Sequence, residues 1–310
     1  MSGDAYYQNV SLLLHCDGTD GSTTFNDSSI TPKTVTASGN AHIETDQAKF
    51  GAASASFDGT DDYLSFPSTG ITYAQADFTI ECFVRIASST GVYAFYAHGD
   101  YTTNDINASV QFQYVGSDPA RGLEFNYSTS GTGYTRCSSG ISISADGWHH
   151  VAACRHGTTI LIFLDGSLVH TATIGTASIY NSTKAVNIGG QYVQYGGGSV
   201  FSSVMGYLDE VRLTLGSARY TEAFTAPAAA FSNFAGQITG VITDDASDPV
   251  ARVVRAYRRD TGALVGNTTS SAGDGSYSMN LLTLDQCSVI ALDDASGDVY
   301  NDQIARVTPA

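Results

Sequence analysis

Residues 158–174 read TTILIFLDGSLVHTATI, and this stretch decides the fold class of the chain. Two runs rich in apolar and β-branched residues flank the dipeptide Asp165-Gly166, which accepts the positive φ angles of a tight hairpin turn. The stretch is therefore predicted to form two antiparallel strands joined by a two-residue turn.

Two other stretches show the alternation that is typical of strands. In FTIECFVRI, residues 78–86, apolar side chains occupy every second position and Glu81 lies on the opposite face, which predicts a half-buried strand. In GYLDEVRLTL, residues 206–215, the same alternation places the carboxylate of Asp209 on the apolar face. Many such short segments, divided by glycine-containing turns and without a helical period between them, predict an all-β sandwich.

The length of the chain predicts two domains. A single hydrophobic core usually stops growing at about 250 residues, and the chain has 310. The composition changes at TAPAAAFSNFAG, where Pro227 and an alanine run separate the last long strand from a new set of alternating segments. We therefore predict a large β-sandwich over residues 1–228, a linker over residues 229–236 and a small β-sandwich over residues 237–310.

The charge balance argues against nucleic acid as a partner. The formal net charge is −16 and only 14 residues are Lys or Arg, whereas a nucleic-acid groove needs clustered cations, so nucleic acid is not expected as a partner. No apolar run approaches the roughly 20 residues that span a bilayer, and the first residues lack the pattern of a secretory signal. Membrane insertion and classical export are therefore not expected.

The cysteines point to the compartment. There are five, they are widely spaced, and no two of them form a CxxC pair. This pattern favours small buried hydrophobic residues over disulfides or metal ligands. Together with the missing export signal, it predicts assembly in a reducing cytoplasm.

Four arginines are concentrated within a short part of the predicted small domain. Arg252, Arg255, Arg258 and Arg259 lie on one predicted strand and its following turn. Two interpretations stay open for this cluster: a solvated strand face, or a surface that docks onto an acidic neighbouring subunit.

Three motifs carry a resemblance to a known superfamily. FDGTDDYLSF at residues 57–66, GWHHVAACRHGTTILIFLDGSLV at residues 147–169 and GYLDEVRL at residues 206–213 resemble, in matching order, signatures of the laminin-G, pentraxin and concanavalin A-like lectin superfamily. The resemblance covers residues 5–230 and implies a concanavalin A-like (laminin-G-like) jelly-roll sandwich. It also implies a structural role for the Trp-His pair, with Trp148 in the core.

Two other segments resemble parts of phage proteins. VSLLLHCDGTDGSTTFNDSS at residues 10–29 is similar to the first strand and loop of laminin-G-like domains in tailed-bacteriophage structural proteins. The C-terminal segment, from VARVVRAYRRDTGALVG to VIALDD, resembles a small Ig-like or carboxypeptidase-regulatory-like module found at the ends of phage tail and decoration proteins. The pair implies a virion component that is assembled in the host cytoplasm, with other virion proteins and further copies of itself as partners.

The resemblance implies a non-enzymatic role, as a tail fibre or tail appendage component whose lectin-like domain binds a host-surface glycan or a protein. Two alternatives stay open, a capsid decoration protein and a free carbohydrate-binding module. A glycoside hydrolase on this sandwich needs two carboxylates facing one cleft, as in the E-x-D-x-x-E strand of jelly-roll endoglucanases. The nearest fragment, Glu44-Thr45-Asp46, has Lys49 where the second glutamate belongs, so no enzyme is expected.

Calcium is the predicted cofactor, in a structural role. Ca²⁺ takes about six to eight oxygen ligands, and domains of this superfamily commonly hold one at the edge of the sandwich. The resemblance implies Asp17 and Asp27 of the first loop and Asp209 of the late strand as ligands. Hydrogen bonds from loop amides are the alternative explanation for the carboxylate of Asp209 on an apolar face.

Two further groups are candidate ligand sites. Asp58, Asp61 and Asp62 crowd one turn, where aspartates more often accept backbone hydrogen bonds than bind a cation. Tyr192 and Tyr195 lie on the glycine-rich segment QYVQYGGGSVF and are predicted to bind a ligand, either a glycan or a protein.

Overall fold

The computed structural model describes residues 3–99, 107–145, 147–195, 198–244, 246–292 and 303–309, without the side chains of residues 192–195, 198–200 and 303–306. Across these residues the chain is all-β, as predicted, and its one helical element is a 3-10 turn at Tyr7–Asn9. None of the described residues belongs to a helix long and apolar enough to cross a membrane. The chain divides into two compact units, which we name the large unit (residues 9–231) and the small unit (residues 1–8 and 232–310).

Strands β1 to β17 form the large unit. In chain order they span Val10–Leu14, Thr36–Ser38, His42–Glu44, Ser54–Asp58, Tyr63–Phe66, Phe78–Ile86, Val92–His98, Val110–Val115, Gly122–Tyr127, Thr135–Ser138, His149–His156, Thr159–Leu164, Ser167–Thr173, Val186–Ile188, Gly190–Tyr195, Gly198–Ser203 and Met205–Leu215.

The large unit is a sandwich of two antiparallel sheets. The first sheet has eight strands, in the order β13-β12-β11-β6-β17-β4-β3, with β1 paired to β17. The second has seven strands, in the order β10-β9-β8-β7-β14-β5-β2, and β15 and β16 form a separate hairpin. The main core takes side chains from both sheets, such as Phe78 and Ile80 of β6 and Phe112 and Phe125 of β8 and β9. The predicted sandwich is confirmed.

The hairpin at the centre of the prediction is present. Strands β12 and β13 pair antiparallel, and Asp165 and Gly166 between them have φ angles of 50° and 80°. Both central residues are therefore left-handed, as a type I′ turn requires. A Cβ on Gly166 would lie 2.0 Å from the carbonyl oxygen of Phe224, so the close approach of this segment also requires glycine.

Strand β6 is buried on both faces, so the prediction of a half-buried strand is wrong. Its inner side chains enter the main core, while Glu81 on the other face has no exposed surface. The segment of residues 217–231 covers this outer face, and its Tyr220 and Phe224 pack against a second apolar cluster that contains Phe163. The covering segment follows β6 by more than a hundred residues, so the local alternation does not reveal it.

Strand β17 contains a β-bulge that breaks the predicted alternation. Asp209 pairs with Phe83 and Arg212 pairs with Glu81, while Glu210 between them has a φ of 51°. The extra residue of a bulge changes which side chains share a face. The strict alternation therefore fails after Asp209, and Glu210 and Arg212 are both buried.

Strands β18 to β23 form the small unit; they span Gly236–Val241, Val253–Arg258, Leu264–Thr269, Ser276–Leu281, Cys287–Leu292 and Gln303–Val307. Strands β18 and β21 make a two-stranded sheet, and a four-stranded sheet has the order β20-β19-β22-β23. Both sheets contribute to one core, which includes Ile238, Val254, Leu281 and Val289. The small unit is therefore a sandwich with its own core.

The boundaries of the units differ from those of the predicted domains. The amide of Asp4 donates to the carbonyl of Phe234 at 2.9 Å, which ties the first residues to the small unit instead of the large one. Phe231 is buried in the large unit, Phe234 is buried in the small unit, and β18 begins at Gly236. The chain thus passes from one unit to the other at residues 231–232, within the segment predicted as a linker.

The prediction for the cysteines is confirmed, and the prediction for the tryptophan is wrong. All five cysteines are buried and free of disulfides, as predicted. Trp148 is half-buried and lies outside the main core, so its predicted place is wrong. It immediately precedes β11, which begins at His149.

Candidate functional site

The outer face of the seven-stranded sheet carries a row of side chains in cross-strand register. Asn187 of β14 lies opposite Ala97 of β7, which lies opposite Gln111 of β8. Gln111 in turn lies opposite Asn126 of β9. These positions alternate with core residues along each strand, so they point away from the core. The row crosses the middle of the sheet and is largely polar.

At one end of this row lies a cavity of about 410 Å³. Two aromatic rings line it, Tyr63 of β5 and Phe201 of β16, with centroids 5.7 Å apart and planes inclined by 55°. Asn187 and Gln191 line it as well, and Nδ2 of Asn187 donates to Oε1 of Gln191 at 2.6 Å. The exposed residue Asp61 lines it too, next to residues 38–39. The cavity thus combines apolar ring faces with amide and carboxylate groups.

A buried polar cluster lies further along the same face, centred on Glu124. Arg121 binds both of its oxygens, with Nε to Oε2 at 2.9 Å and Nη2 to Oε1 at 2.7 Å. Ser138 donates to Oε2 at 2.6 Å, and the amides of Gln113 and Asn126 each donate to Oε1 at 2.8 Å. Burial raises the pKa of Glu124, but these hydrogen bonds and the charge of Arg121 outweigh it and lower the pKa to about 2. The carboxylate is therefore ionised at neutral pH.

Three amide atoms of this cluster have no hydrogen-bond partner among the residues that the structure describes: Gln111 Nε2, Gln113 Oε1 and Asn126 Oδ1. All three residues are only 2% exposed. Buried polar groups of this kind generally hold ordered water or a polar group of a ligand. The cluster can therefore donate one further hydrogen bond, from Gln111, and accept two, at Gln113 and Asn126.

Asp17 and Asp27, two of the three predicted calcium ligands, accept backbone hydrogen bonds. Asp27 uses both oxygens to accept three backbone amides at 2.8–2.9 Å. One oxygen of Asp17 accepts the amides of Ala52 at 2.8 Å and Ala53 at 3.2 Å. Both carboxylates therefore fix loops of the large unit, a role that needs no cation.

Asp209 is the third predicted ligand. It has no exposed surface, and its Oδ2 accepts the amides of Lys49 at 2.8 Å and Phe50 at 3.1 Å. Its Oδ1 has no hydrogen-bond partner within the described parts of the chain. Burial raises the pKa of Asp209 to about 7, although the two amide hydrogen bonds lower it. The hydrogen bonds agree with the alternative explanation from the sequence, while Oδ1 remains available to a proton or a cation.

The three predicted ligands do not form a group. Among the described residues, the three acidic side chains whose oxygens lie within 4.8 Å of one another are Asp58, Asp61 and Asp62. Asp62 is buried, and its oxygens accept the amides of Asn40 and Asp58, so backbone hydrogen bonds hold this turn. A calcium ion shared by the three predicted ligands does not fit this arrangement, and calcium stays a prediction for Asp209 alone.

Tyr192 and Tyr195, the predicted ligand-binding pair, lie on β15, and their side chains are outside the described residues. The backbone of β15 pairs with β16, which places Tyr192 opposite Phe201. Gln191, the preceding residue, lines the cavity. The predicted segment, residues 191–201, therefore contributes to the candidate site through its first and last residues, Gln191 and Phe201, although the prediction named its tyrosines.

His149 belongs to a chain of hydrogen bonds that the sequence did not reveal. Its Nε2 lies 2.7 Å from the hydroxyl of Ser144, and its Nδ1 lies 2.7 Å from Oδ2 of Asp165. The order is that of a Ser-His-Asp triad, but acyl transfer also needs donors for the oxyanion and a cavity for the acyl group. Neither the cavity beside Tyr63 and Phe201 nor the one beside Tyr277 is lined by these three residues. Asp165 also accepts the amide of His150 at 2.8 Å, so the chain fixes the hairpin turn against β11.

A protein-family model described as the concanavalin A-like lectin/glucanases superfamily (Laminin_G_3) matches residues 58–217, just over half of the chain. The chain belongs to this superfamily. The predicted laminin-G-like sandwich is thereby confirmed, and the matched residues include both rings of the cavity and the whole polar cluster. No curated protein matches the chain.

Solved structures share the lectin-like fold at low sequence identity. Domain 4 of AbnA, an extracellular GH43 arabinanase of Geobacillus stearothermophilus solved in complex with arabinotriose, has a TM-score of 0.50 at 15% identity, covering 70% of this chain and 94% of its own. The binding domain of Paraclostridial Mosquitocidal Protein 1 has a TM-score of 0.51 at 11% identity, covering 98% and 76%. The binding domain of botulinum neurotoxin serotype C1 has a TM-score of 0.50 at 10% identity, covering 93% and 72%. At these identities the likeness shows the fold alone.

Proposed function

We propose that the lectin-like domain is a non-catalytic glycan-binding module that binds a neutral oligosaccharide in the cavity beside Tyr63 and Phe201. The observation that supports this is the combination of two ring faces with amide and carboxylate groups around about 410 Å³. Small-molecule sites are typically concave, with apolar or aromatic walls and a few placed polar groups. Sugars match such a site because a pyranose ring has an apolar face, while its hydroxyl groups both donate and accept hydrogen bonds.

Charge favours a neutral glycan over an acidic one. Asp61 lines the cavity and the chain has a net charge of −16, so a sialylated ligand meets electrostatic repulsion. The amide of Asn187 suits hydroxyl groups, because an amide carries both donors and an acceptor. Gln191 orients it, since its own amide accepts from Nδ2 of Asn187 and donates to the carbonyl of Gly99. The arabinanase domain, solved with arabinotriose, is an example of this fold with a neutral oligosaccharide.

Saturable binding of a neutral glycan is the expected result. Calorimetric titration of the full chain with arabinotriose and a panel of neutral and sialylated oligosaccharides measures it. Phe201→Ala should weaken the binding about tenfold or more, because a buried phenylalanine side chain contributes about 1.5–3 kcal/mol and about 1.4 kcal/mol is a tenfold change. Tyr63→Ala should act in the same direction, since it removes the second ring.

Tyr6→Ala is the matched control, because Tyr6 is an exposed aromatic residue of the small unit. This variant should bind like the wild type. Wild-type affinity in Phe201→Ala, or no saturable binding to any neutral glycan, contradicts the proposal. Release of reducing ends from the glycan contradicts its non-catalytic part.

The wider setting that we propose is the virion of a tailed phage, with this module in a tail fibre or tail appendage. The sequence resemblances of residues 10–29 and of the C-terminal segment support it. Mass spectrometry of purified particles should then detect the chain, and antibody labelling in electron micrographs should place it on the tail. Labelling of the head favours a decoration protein instead, and absence from particles favours a free carbohydrate-binding module.

A further inference from the structure

The two sheets of the small unit present different faces to solvent. On β18 and β21 the outward positions are mostly polar: Thr239 lies opposite Ser278, and Gln237 lies opposite Asn280. Such side chains are typical of a sheet face in contact with water. The four-stranded sheet of the same unit does not follow this rule.

The outward face of the four-stranded sheet is defined by the register of β19. Val254 and Ala256 of this strand enter the core, so the alternate positions point outward. Pairing adds outward residues of β20 and β22 on either side. We name this surface the β19 face; it consists of Val253, Arg255 and Tyr257 of β19, Leu264, Asn267 and Thr269 of β20, and Ser288, Ile290 and Leu292 of β22.

The β19 face has the composition of an interface. Val253 is 40% exposed and is paired with Leu292, and Leu264 is 50% exposed and is paired with Tyr257. Asn267, Thr269 and Ser288 add three small polar groups to the same face. Aromatic residues and arginine are enriched in protein interfaces, whereas contiguous exposed apolar residues are uncommon on isolated soluble proteins. This face is therefore better suited to a protein surface than to water.

Arg255, at the centre of the β19 face, has no ionic partner among the residues that the structure describes. Arg258, three residues later, pairs with Asp260 at 2.6 Å and with Asp285 at 3.1 Å. The two arginines of the cluster therefore differ: Arg258 is paired within the small unit, whereas Arg255 suits the interpretation as a docking surface. Arg258 is neutralised within the unit, while the charge of Arg255 is left for a partner.

We propose that the β19 face docks onto the acidic surface of a second copy of this chain. The net charge of −16 makes the surface of any neighbouring copy predominantly acidic, and Arg255 is complementary to it. Val253, Tyr257 and Ile290 lie next to Arg255 on this face. In a docked complex their apolar side chains exclude water beside the guanidinium, which strengthens its pairing with a carboxylate. Self-association through this face does not depend on glycan binding by the large unit.

Sedimentation velocity of the full chain at increasing concentration tests the proposal. At an ionic strength of about 0.15 M the Debye length is about 8 Å, so net repulsion between acidic copies is screened while close contacts still act. The mean mass should rise with concentration. Arg255→Glu should weaken self-association about tenfold or more, as is typical for a central charge of an interface. Leu264→Ser should weaken it as well, because it removes exposed apolar surface from the face.

Arg259→Glu is the matched control, since Arg259 is an exposed arginine in the turn after β19 and lies outside the face. It should associate like the wild type, and thermal unfolding of all three variants should match that of the wild type. A chain that stays monomeric at every concentration overturns the proposal and assigns the face to a different partner. Equal effects of Arg255→Glu and Arg259→Glu also overturn it, because overall charge would then control the association.

Discussion

Replacing Glu81 with glutamine should lower the free energy of unfolding of the large unit by about 3–5 kcal/mol, the loss typical of a buried ion pair that keeps one partner. Oε1 of Glu81 accepts hydrogen bonds from Arg212, with N–O distances of 2.8 and 2.9 Å. Oε2 accepts the hydroxyl of Tyr220 at 2.8 Å and lies 3.0 Å from Nε2 of His150. Glutamine keeps the shape of the side chain but leaves the guanidinium of Arg212 buried without the charge of Glu81.

The pKa of Glu81 shows that its contribution is complete at neutral pH. Burial raises this pKa, but the charge of Arg212, the hydrogen bond with His150 and the charge of Arg219 outweigh burial and hold it well below its usual range. A carboxyl group whose pKa is depressed by folding stabilises the protein above its unfolded pKa, and the stabilisation is lost as the pH falls through the folded pKa. The full loss in Glu81→Gln is therefore expected at neutral pH.

Urea unfolding followed by the fluorescence of Trp148 measures this loss in the large unit, because Trp148 is the single tryptophan of the chain. The melting temperature should fall by roughly 2–4 °C for each kcal/mol. Glu222→Gln, at an exposed position of the covering segment, is the control and should change the free energy by less than about 0.5 kcal/mol. A loss below about 1 kcal/mol in Glu81→Gln contradicts the assigned role of the ion pair.

The double variant Glu81→Gln, Arg212→Met separates charge from packing. Removing both charges leaves no uncompensated ion from this pair, so the double variant should be more stable than Glu81→Gln alone. The guanidinium carbon of Arg212 lies 3.5 Å from the ring centroid of Phe231, a contact that methionine retains in part. A double variant less stable than Glu81→Gln shows instead that Arg212 acts mainly through packing.

Local patterns were sufficient to predict the class of fold. The turn at Asp165-Gly166 forms as expected because its geometry depends on the conformational freedom of two adjacent residues. Alternation in the neighbouring segments then predicts strands, and three motifs in order indicate the superfamily. Each of these signals lies within a window of a few residues.

The same local patterns do not predict burial by segments that are distant in the sequence. Tyr220 follows Glu81 by 139 residues, so the alternation around Glu81 does not show that its face is covered. No sequence signal predicts the bulge of β17 either, because Glu210 adopts a positive φ that glutamate rarely takes. In the sequence, a buried network of charges therefore has the same pattern as the polar face of a half-buried strand.

The candidate site, too, could be predicted only in part from the sequence. Alternation in VQFQYV, residues 110–115, and in GLEFNY, residues 122–127, is enough to predict a polar face on two strands. Nothing in either segment shows that this face is buried. The cavity depends on register across several strands, which brings Asn187 into one row with Gln111, and on a hairpin that brings Phe201 beside the sheet.

Replacing Asp209 with asparagine should remove a loss of stability that the wild type shows between about pH 4 and about pH 7. Burial raises the pKa of Asp209 to about 7 from its ordinary value of 3.8. Over this interval the folded state keeps the proton and the unfolded state has released it. The stabilisation from the protonated side chain is therefore complete below the unfolded pKa and is lost as the pH rises through the folded pKa.

The size of the effect follows from the shift. One pKa unit corresponds to about 1.4 kcal/mol, so a shift of about three units amounts to roughly 4 kcal/mol for this fully buried side chain. Asparagine resembles the protonated acid, because its oxygen still accepts the amides of Lys49 and Phe50 and no charge is buried. The stability of the variant relative to the wild type should rise by this amount with pH and then level off. Glu81 and Glu124, whose pKa values are depressed, titrate in both proteins and cancel in the difference.

Urea unfolding across this pH range, again followed by the fluorescence of Trp148, measures that difference. Asp46→Asn, at an exposed position, should follow the wild type at every pH. Equal pH slopes for the wild type and Asp209→Asn contradict the raised pKa of Asp209.

The same unfolding experiment, repeated with calcium and with EGTA, tests whether Asp209 binds calcium. A calcium ion bound at the unpartnered Oδ1 of Asp209 needs the ionised carboxylate, so it stabilises the folded state most where the proton has left. Excess calcium should then flatten the pH dependence of the wild type, EGTA should restore it, and Asp209→Asn should respond to neither. A wild-type curve that is identical in calcium and in EGTA removes calcium from this residue, and the pH dependence then belongs to the proton that Oδ1 binds in its place.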